Sequence, residues 1–101
     1  MAWSPPLGPS FQREHGSTEA EWLAQLPGAV GAHALQLAPG QARVQIGAGE
    51  LRLQWSVLPL RQIALMRLPR LAVHYQFDGV PDDVRHRFMH HFDRCMQRGG
   101  G

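Results

Sequence analysis

Apolar and polar residues alternate through the middle of the chain. Leu51, Leu53, Trp55 and Val57 fall on every second position, as do Leu71, Val73, Tyr75 and Phe77 further on. A strand sends successive side chains to opposite faces, so this period predicts strands with one buried face. Shorter runs precede them, His33 to Ala38 and Gln41 to Ile46, punctuated by Pro39-Gly40 and Gly47-Ala48-Gly49. With two-residue loops at Pro39-Gly40 and Ala48-Gly49, Leu35 faces Val44, Leu37 faces Ala42, Ile46 faces Leu51 and Val44 faces Leu53. These apolar residues then share one side, while Gln36, Arg43, Gln45, Arg52 and Gln54 share the other. Turn chemistry and hydrophobic phase agree, which predicts an antiparallel meander.

Leu58-Pro59-Leu60-Arg61 interrupts the alternation and is expected to turn the chain. Ile63 and Leu65 are in phase with Leu71, Val73, Tyr75 and Phe77, straight through Pro69. Residues 62–77 therefore read either as one long strand bent at an edge-placed Pro69 or as two strands joined by a three-residue loop. The sheet has four strands in one case and five in the other.

Two segments carry the helical period instead. Thr18 to Leu26 starts with Thr18 and Glu21 at capping-box spacing, presents Trp22, Leu23 and Leu26 as a stripe, and is expected to end at Pro27-Gly28. After Asp78-Gly79, Pro81 suits a first helical position, and Asp82 and Asp83 suit the positive end of the helix dipole. Val84, Phe88, Phe92, Cys95 and Met96 then line one face as far as Gln97. A sheet with one apolar face and a helix with one apolar face must cover each other. The expected fold is α+β: an antiparallel meander sheet of four or five strands, one face covered by the C-terminal helix, plus a short N-terminal helix. Residues 1–16, rich in Pro and Gly, read as a flexible tail, 17–98 as the domain, and 99–101 as a glycine tail.

Composition adds limits. A chain of 101 residues has room for one core. No apolar run approaches the roughly 18 residues of a membrane span, and no signal-peptide layout opens the chain. The single Cys95 excludes an internal disulfide. A cytoplasmic location without membrane association is expected. All ten basic residues are Arg. Residues 1–50 hold two Arg against four Glu and residues 51–101 hold eight Arg against four Asp, a mild pull on anions from the second half.

Candidate chemistry is sparse. His86 and His90 leave one helix face a turn apart, with Asp82 a turn before, the outline of a two-His, one-carboxylate metal set. A solvated polar face accounts for the same spacing, and no metal or other cofactor is expected. His91 and Cys95 are also a turn apart, but Cys95 shares the apolar stripe and reads as a buried thiol. Arg85, Arg87, Arg94 and Arg98 outline a basic patch that would bind anions. Gln36, Arg43, Gln45, Arg52, Gln54, His74 and Gln76 give the sheet a polar face. The aromatic residues Trp55, Tyr75 and Phe77 are in phase with the core rather than on that face, unlike the open face of a sheet that stacks bases.

Surplus apolar surface remains. With odd positions in the core around Pro69, Leu58, Leu60, Met66 and Leu68 face outward, as in a surface that meets a partner. The first functional expectation is a non-enzymatic protein-binding or assembly module, its partner another protein or a second copy. The alternative is a small ligand-binding protein or enzyme with a pocket between helix and sheet, drawing on His33, His74 or the His86/His90 face. Weak nucleic-acid binding through the Arg-rich second half ranks third.

Overall fold

The computed structural model describes residues 8–99. Its elements run β1 (Ser10–His15), α1 (Glu19–Val30), β2 (Leu35–Ala38), β3 (Gln41–Ile46), β4 (Gly49–Ile63), β5 (Met66–Asp78) and α2 (Asp82–Gly99). The five strands form one antiparallel sheet in the order β1-β5-β4-β3-β2. Both helices lie on one face, so the fold is the α+β meander expected. Among the described residues no helix is long and apolar enough to cross a membrane.

The β2–β3 hairpin has the expected register, Leu35 opposite Val44 and Leu37 opposite Ala42. The β3–β4 hairpin turns one residue earlier than expected. Its loop is Gly47-Ala48, so Ile46 pairs with Gly49, Val44 with Leu51 and Ala42 with Leu53. The register is displaced by two residues, an even number, so every side chain keeps its face. Gly47 supplies the positive φ, +59°, that a tight hairpin wants at its first central position. Gly49 is needed inside the strand instead, because a Cβ there would sit 2.4 Å from the backbone oxygen of Gly79. The Gln45 amide braces the turn by donating to the carbonyls of Gly47 and Gly49.

Residues 58–69 depart furthest from expectation. Leu58–Arg61 does not turn, and neither reading of residues 62–77 holds. β4 runs on to Ile63, the chain reverses at Ala64-Leu65, and Pro69 lies inside β5. Between the pairs Leu58–Arg70 and Arg61–Leu68, Pro59 and Leu60 oppose Pro69 alone, a bulge of two residues against one. A bulge is where prolines can sit without leaving a ladder acceptor unpaired.

Residues 10–15, read from the sequence as part of a tail, form an edge strand on β5, with Phe11, Arg13 and His15 on the helix side. Two of those three inward residues are polar, which hides the strand from a hydrophobicity pattern. Residues 1–7 and 100–101 lie outside the described residues. α1 begins with the capping box, Glu21 N–H donating to Thr18 Oγ1 and Thr18 N–H to Glu21 Oε1. It does not stop at Pro27 but continues to Val30, because Ala29 and Val30 are buried in the core. That burial outweighs the roughly 3 kcal/mol cost of an interior proline.

The core lies between the helices and the sheet's inner face. Phe92 meets Tyr75 edge-on at 5.8 Å, Phe88 meets Phe77 at 6.0 Å, and Trp22 of α1 tilts against Trp55 at 4.8 Å. Met89 joins Phe88, Phe92 and Met96 in the buried set, while Val84 and Cys95 pack at its margin.

Phe88→Ala leaves a cavity under α2 and costs about 3–5 kcal/mol, read as a large fall in melting temperature. Gly49→Ala drives a methyl group into backbone and costs about 1–3 kcal/mol. Gly28→Ala in α1 meets no atom within 4 Å and stabilises by about 0.5–1 kcal/mol. Urea denaturation of the two glycine variants gives opposite signs if the backbone packing is as described.

Candidate functional site

Two places leave local chemistry incomplete. The first is the far end of the β4–β5 hairpin. β3 pairs with β4 only as far as Gln54, and β1 with β5 only as far back as Leu71. Residues 57–70 therefore form a two-stranded ribbon without sheet neighbours, and such ribbons are marginal alone in water. Leu65 at the tip is 98% exposed and Met66 61%; Val57, Leu60 and Ile63 are exposed by half or more. By alternation from the paired positions, Leu58, Arg61, Ile63, Met66, Leu68 and Arg70 share the ribbon's outer face. Ala64 holds φ +54°, a conformation that costs a side-chain-bearing residue about 1–2 kcal/mol.

Three of the four residues proposed from sequence for partner contact, Leu58, Met66 and Leu68, lie on this face, and Leu60 lies in the bulge. Leu58 and Leu68 are half-buried. Ile63 joins them although its phase pointed to the core, because the bulge reverses the alternation of β4. Leu65 was missed because Ala64-Leu65 lacks any turn residue. From Leu51 to Phe77 the chain has four Arg and no Asp or Glu. Arg70 bonds the Glu14 carboxylate and holds that carboxyl below its ordinary range. Arg61 and Arg67 form no ion pair among the described residues.

The second place is an open cleft of about 590 Å³ where β1, the β1–α1 connection and both helices meet. Arg13 and His15 line it from β1, Ser17 from the connection, Trp22 and Gln25 from α1, and Asp93, Met96 and Gln97 from α2. Arg13 Nη1 pairs with Asp93, and its guanidinium lies over the rings of Phe11 and Tyr75, 5.2 and 5.6 Å from their centres. His15 Nε2 and the Tyr75 hydroxyl share a hydrogen bond at 2.8 Å. Burial pushes the Tyr75 hydroxyl well above its ordinary range, so it stays protonated. Burial, aided by Arg13, holds His15 below its ordinary value, so it is neutral at pH 7. Ser17 Oγ and Trp22 Nε1 are buried without a hydrogen-bond partner.

The other sequence candidates are scattered. His86, His90 and Asp82 are exposed, the Asp82 carboxylate accepts from Arg85 at 2.8 Å, and no three metal-ligating groups converge among the described residues. Arg85 is only 6% exposed and so does not belong to a surface patch. Arg87 stands 3.6 Å from Asp83, Arg94 is exposed, and the Arg98 side chain lies outside the described residues. Cys95 is half-buried, its sulfur 3.5 Å from His91 Nε2 and 3.6 Å from the Gly28 carbonyl. On the open sheet face Arg52 is paired with Glu50 and Asp78. His33 packs edge-on against Phe88, and His74 lies on the open face opposite Gln54 and Gln12.

Comparison of the chain with protein-family models, with curated proteins and with solved structures finds no match in any of the three.

The lowered value of His15 has a sign. Below the ordinary value of 6.5 the unfolded chain takes up a proton that the folded chain refuses. Stability therefore falls as pH drops from about 6.5 toward the lower folded value, by at most about 1.4 kcal/mol per pH unit from this group. His15→Gln removes that part of the slope; urea midpoints measured from about pH 7 to pH 5 for the two proteins give the difference.

Proposed function

We propose that this chain is a non-enzymatic protein-binding module and that the β4–β5 ribbon is its contact element. The observation that carries this reading is the run of exposed aliphatic side chains on an unsupported ribbon, Ile63, Leu65 and Met66 above all. Their burial against a partner supplies the driving force that the free ribbon lacks. The ribbon's charge selects the partner. Among the described residues Arg67 forms no ion pair, and the one carboxylate that acts on Arg61, Glu14, is already bonded to Arg70, so the ribbon's surplus positive charge repels a second ribbon and attracts carboxylates. The partner is therefore a protein surface with an aliphatic groove rimmed by Asp or Glu, not a second copy of this chain.

Short random peptides selected for binding to the full chain should be enriched in aliphatic residues flanked by Asp or Glu. Ile63→Ser with Leu65→Ser should weaken the selected peptides about tenfold or more without lowering the melting temperature, since both side chains are exposed. Arg61→Glu with Arg67→Glu should weaken them as well. Peptides without acidic residues, or binding indifferent to the ribbon variants, would overturn the proposal. A ribbon-dependent dimer in sedimentation would replace it with self-assembly. Ribbon-dependent binding to phosphatidylcholine–phosphatidylglycerol vesicles would replace it with a lipid surface.

A further inference from the structure

We infer that β2 is a contact edge for a second copy of this chain, the two strands pairing antiparallel across a two-fold axis at Gln36. The inference is independent of the ribbon, which shares no residue with β2.

The sheet has two edges, β1 and β2, and they are guarded differently. Proteins protect an exposed edge with charged residues, above all with charges that point inward. β1 has that protection, with Arg13 on its inner side and Glu14 beside it. β2 has none. It reads Leu-Gln-Leu-Ala, and no Arg, Asp or Glu occurs from Trp22 to Ala42. Leu37 lies on the helix side of the sheet, opposite the buried Ala42, yet it is 56% exposed. An aliphatic side chain on the core face of an uncharged edge is what a further strand covers.

The phase of the hydrogen bonds fits a second β2. Residues of an antiparallel strand alternate between those that exchange bonds with a neighbour and those that turn their N–H and C=O away from it. The Ala34 carbonyl accepts from Gln45 N–H, so Ala34, Gln36 and Ala38 face β3. Leu35 and Leu37 therefore turn their backbone groups to the open edge. Two copies of β2 placed antiparallel about Gln36 set each Leu35 opposite Leu37 of the other copy. Both positions have free groups, so each pair exchanges its bonds, and the two leucines cover each other on the inner face. The ladder stops beyond them, because Pro39 has no N–H and the His33 N–H is given to Val30. The contact is isologous and closes on itself, while the guarded β1 edge resists further growth. Charge permits the approach. Arg43, the first charged residue after β2, pairs with Gln36 and lies on the open face. Its two copies would stand three strand spacings apart, about 14 Å, beyond the screening length of about 8 Å at physiological salt. So short a contact is weak, with Kd on the order of 0.1–1 mM.

Disulfide trapping tests the register. At the axis the two Gln36 Cα atoms would lie about 4.5 Å apart, within disulfide reach. In the full chain carrying Cys95→Ala, Gln36→Cys should cross-link under mild oxidation about tenfold faster than Ala34→Cys or Ala38→Cys, whose equivalents would lie about 14 Å apart. Sedimentation of the unmodified chain up to about 2 mM should show a monomer–dimer equilibrium. Leu37→Pro removes an outward N–H and keeps the bonds to β3, so it should abolish the dimer and the preference for Gln36→Cys. Leu37→Arg, a change at an exposed side chain, should do the same with the melting temperature unchanged. Ile63→Ser with Leu65→Ser should leave the dimer intact. A strict monomer at about 2 mM would overturn the inference and leave the edge to another protein's strand or to water. Cross-linking as fast at Ala34→Cys or Ala38→Cys, or a dimer that survives Leu37→Arg, would overturn it too. A dimer lost only in the Ile63→Ser, Leu65→Ser variant would belong to the ribbon and overturn it as well.

Discussion

Tyr75 is the point at which every layer of the molecule meets. Phe92 of α2 packs edge-on against its ring, Phe11 of β1 stacks on it at 4.7 Å, and Arg13 lies above it. Its hydroxyl reaches His15. One fully buried side chain thus ties the C-terminal helix to the sheet and the N-terminal edge strand to both. Phe88 on Phe77 and Trp22 on Trp55 extend the same contact along the inner face. With the apolar side of the sheet consumed in this way, the other side stays polar and carries ion pairs rather than a second core.

The helices do not reach as far as the strands they cover. β4 is fifteen residues long and β5 thirteen, whereas their neighbours β3 and β1 are six each. Leu71 is fully buried, while Val57 opposite it is largely exposed, so the core ends across this pair. Beyond it, Pro59, Leu60 and Pro69 form a bulge that a continuous ladder would not accept, and Ala64 holds a backbone conformation suited to glycine. Aliphatic exposure, an unsupported ribbon and a left-handed Ala64 fall together here. This clustering is the observation on which the proposed contact role of the ribbon rests.

The cleft is incomplete in the opposite sense. The ribbon has apolar groups with nothing to cover them; the cleft has polar groups with nothing to bond. The first is relieved by burying area against an extended surface. Neither draws on the histidine and arginine spacings of α2. Those spacings put Arg85 under the helix and leave His86 and His90 in solvent.

Much of the fold was legible in the chain because local chemistry and periodicity agreed. The strands from Leu35 to Val57, the capping box at Thr18 and the amphipathic helix after Pro81 each carry their own signal. A two-residue error in the β3–β4 register left every face correct, since faces repeat every two residues. Other features depend on residues distant in sequence and had no local signal. β1 faces inward with Arg13 and His15, which become core-compatible only through Asp93 and Tyr75. Helix α1 passes Pro27 because Ala29 and Val30 find the core. Of the ribbon's face, Leu58, Met66 and Leu68 were legible from alternation, but Ile63 was not, because a bulge between paired strands reverses phase without marking either strand. The cleft was not legible at all, for orphaned donors exist only once three elements have closed around them. Sequence alone determined element type and greasy face only where the period is strong, from Leu35 to Val57, from Leu71 to Phe77 and after Pro81, because there they are nearest-neighbour properties. Tertiary structure decided where strands end, which prolines are tolerated and which polar atoms go unpaired, because those are set by what packs across from them.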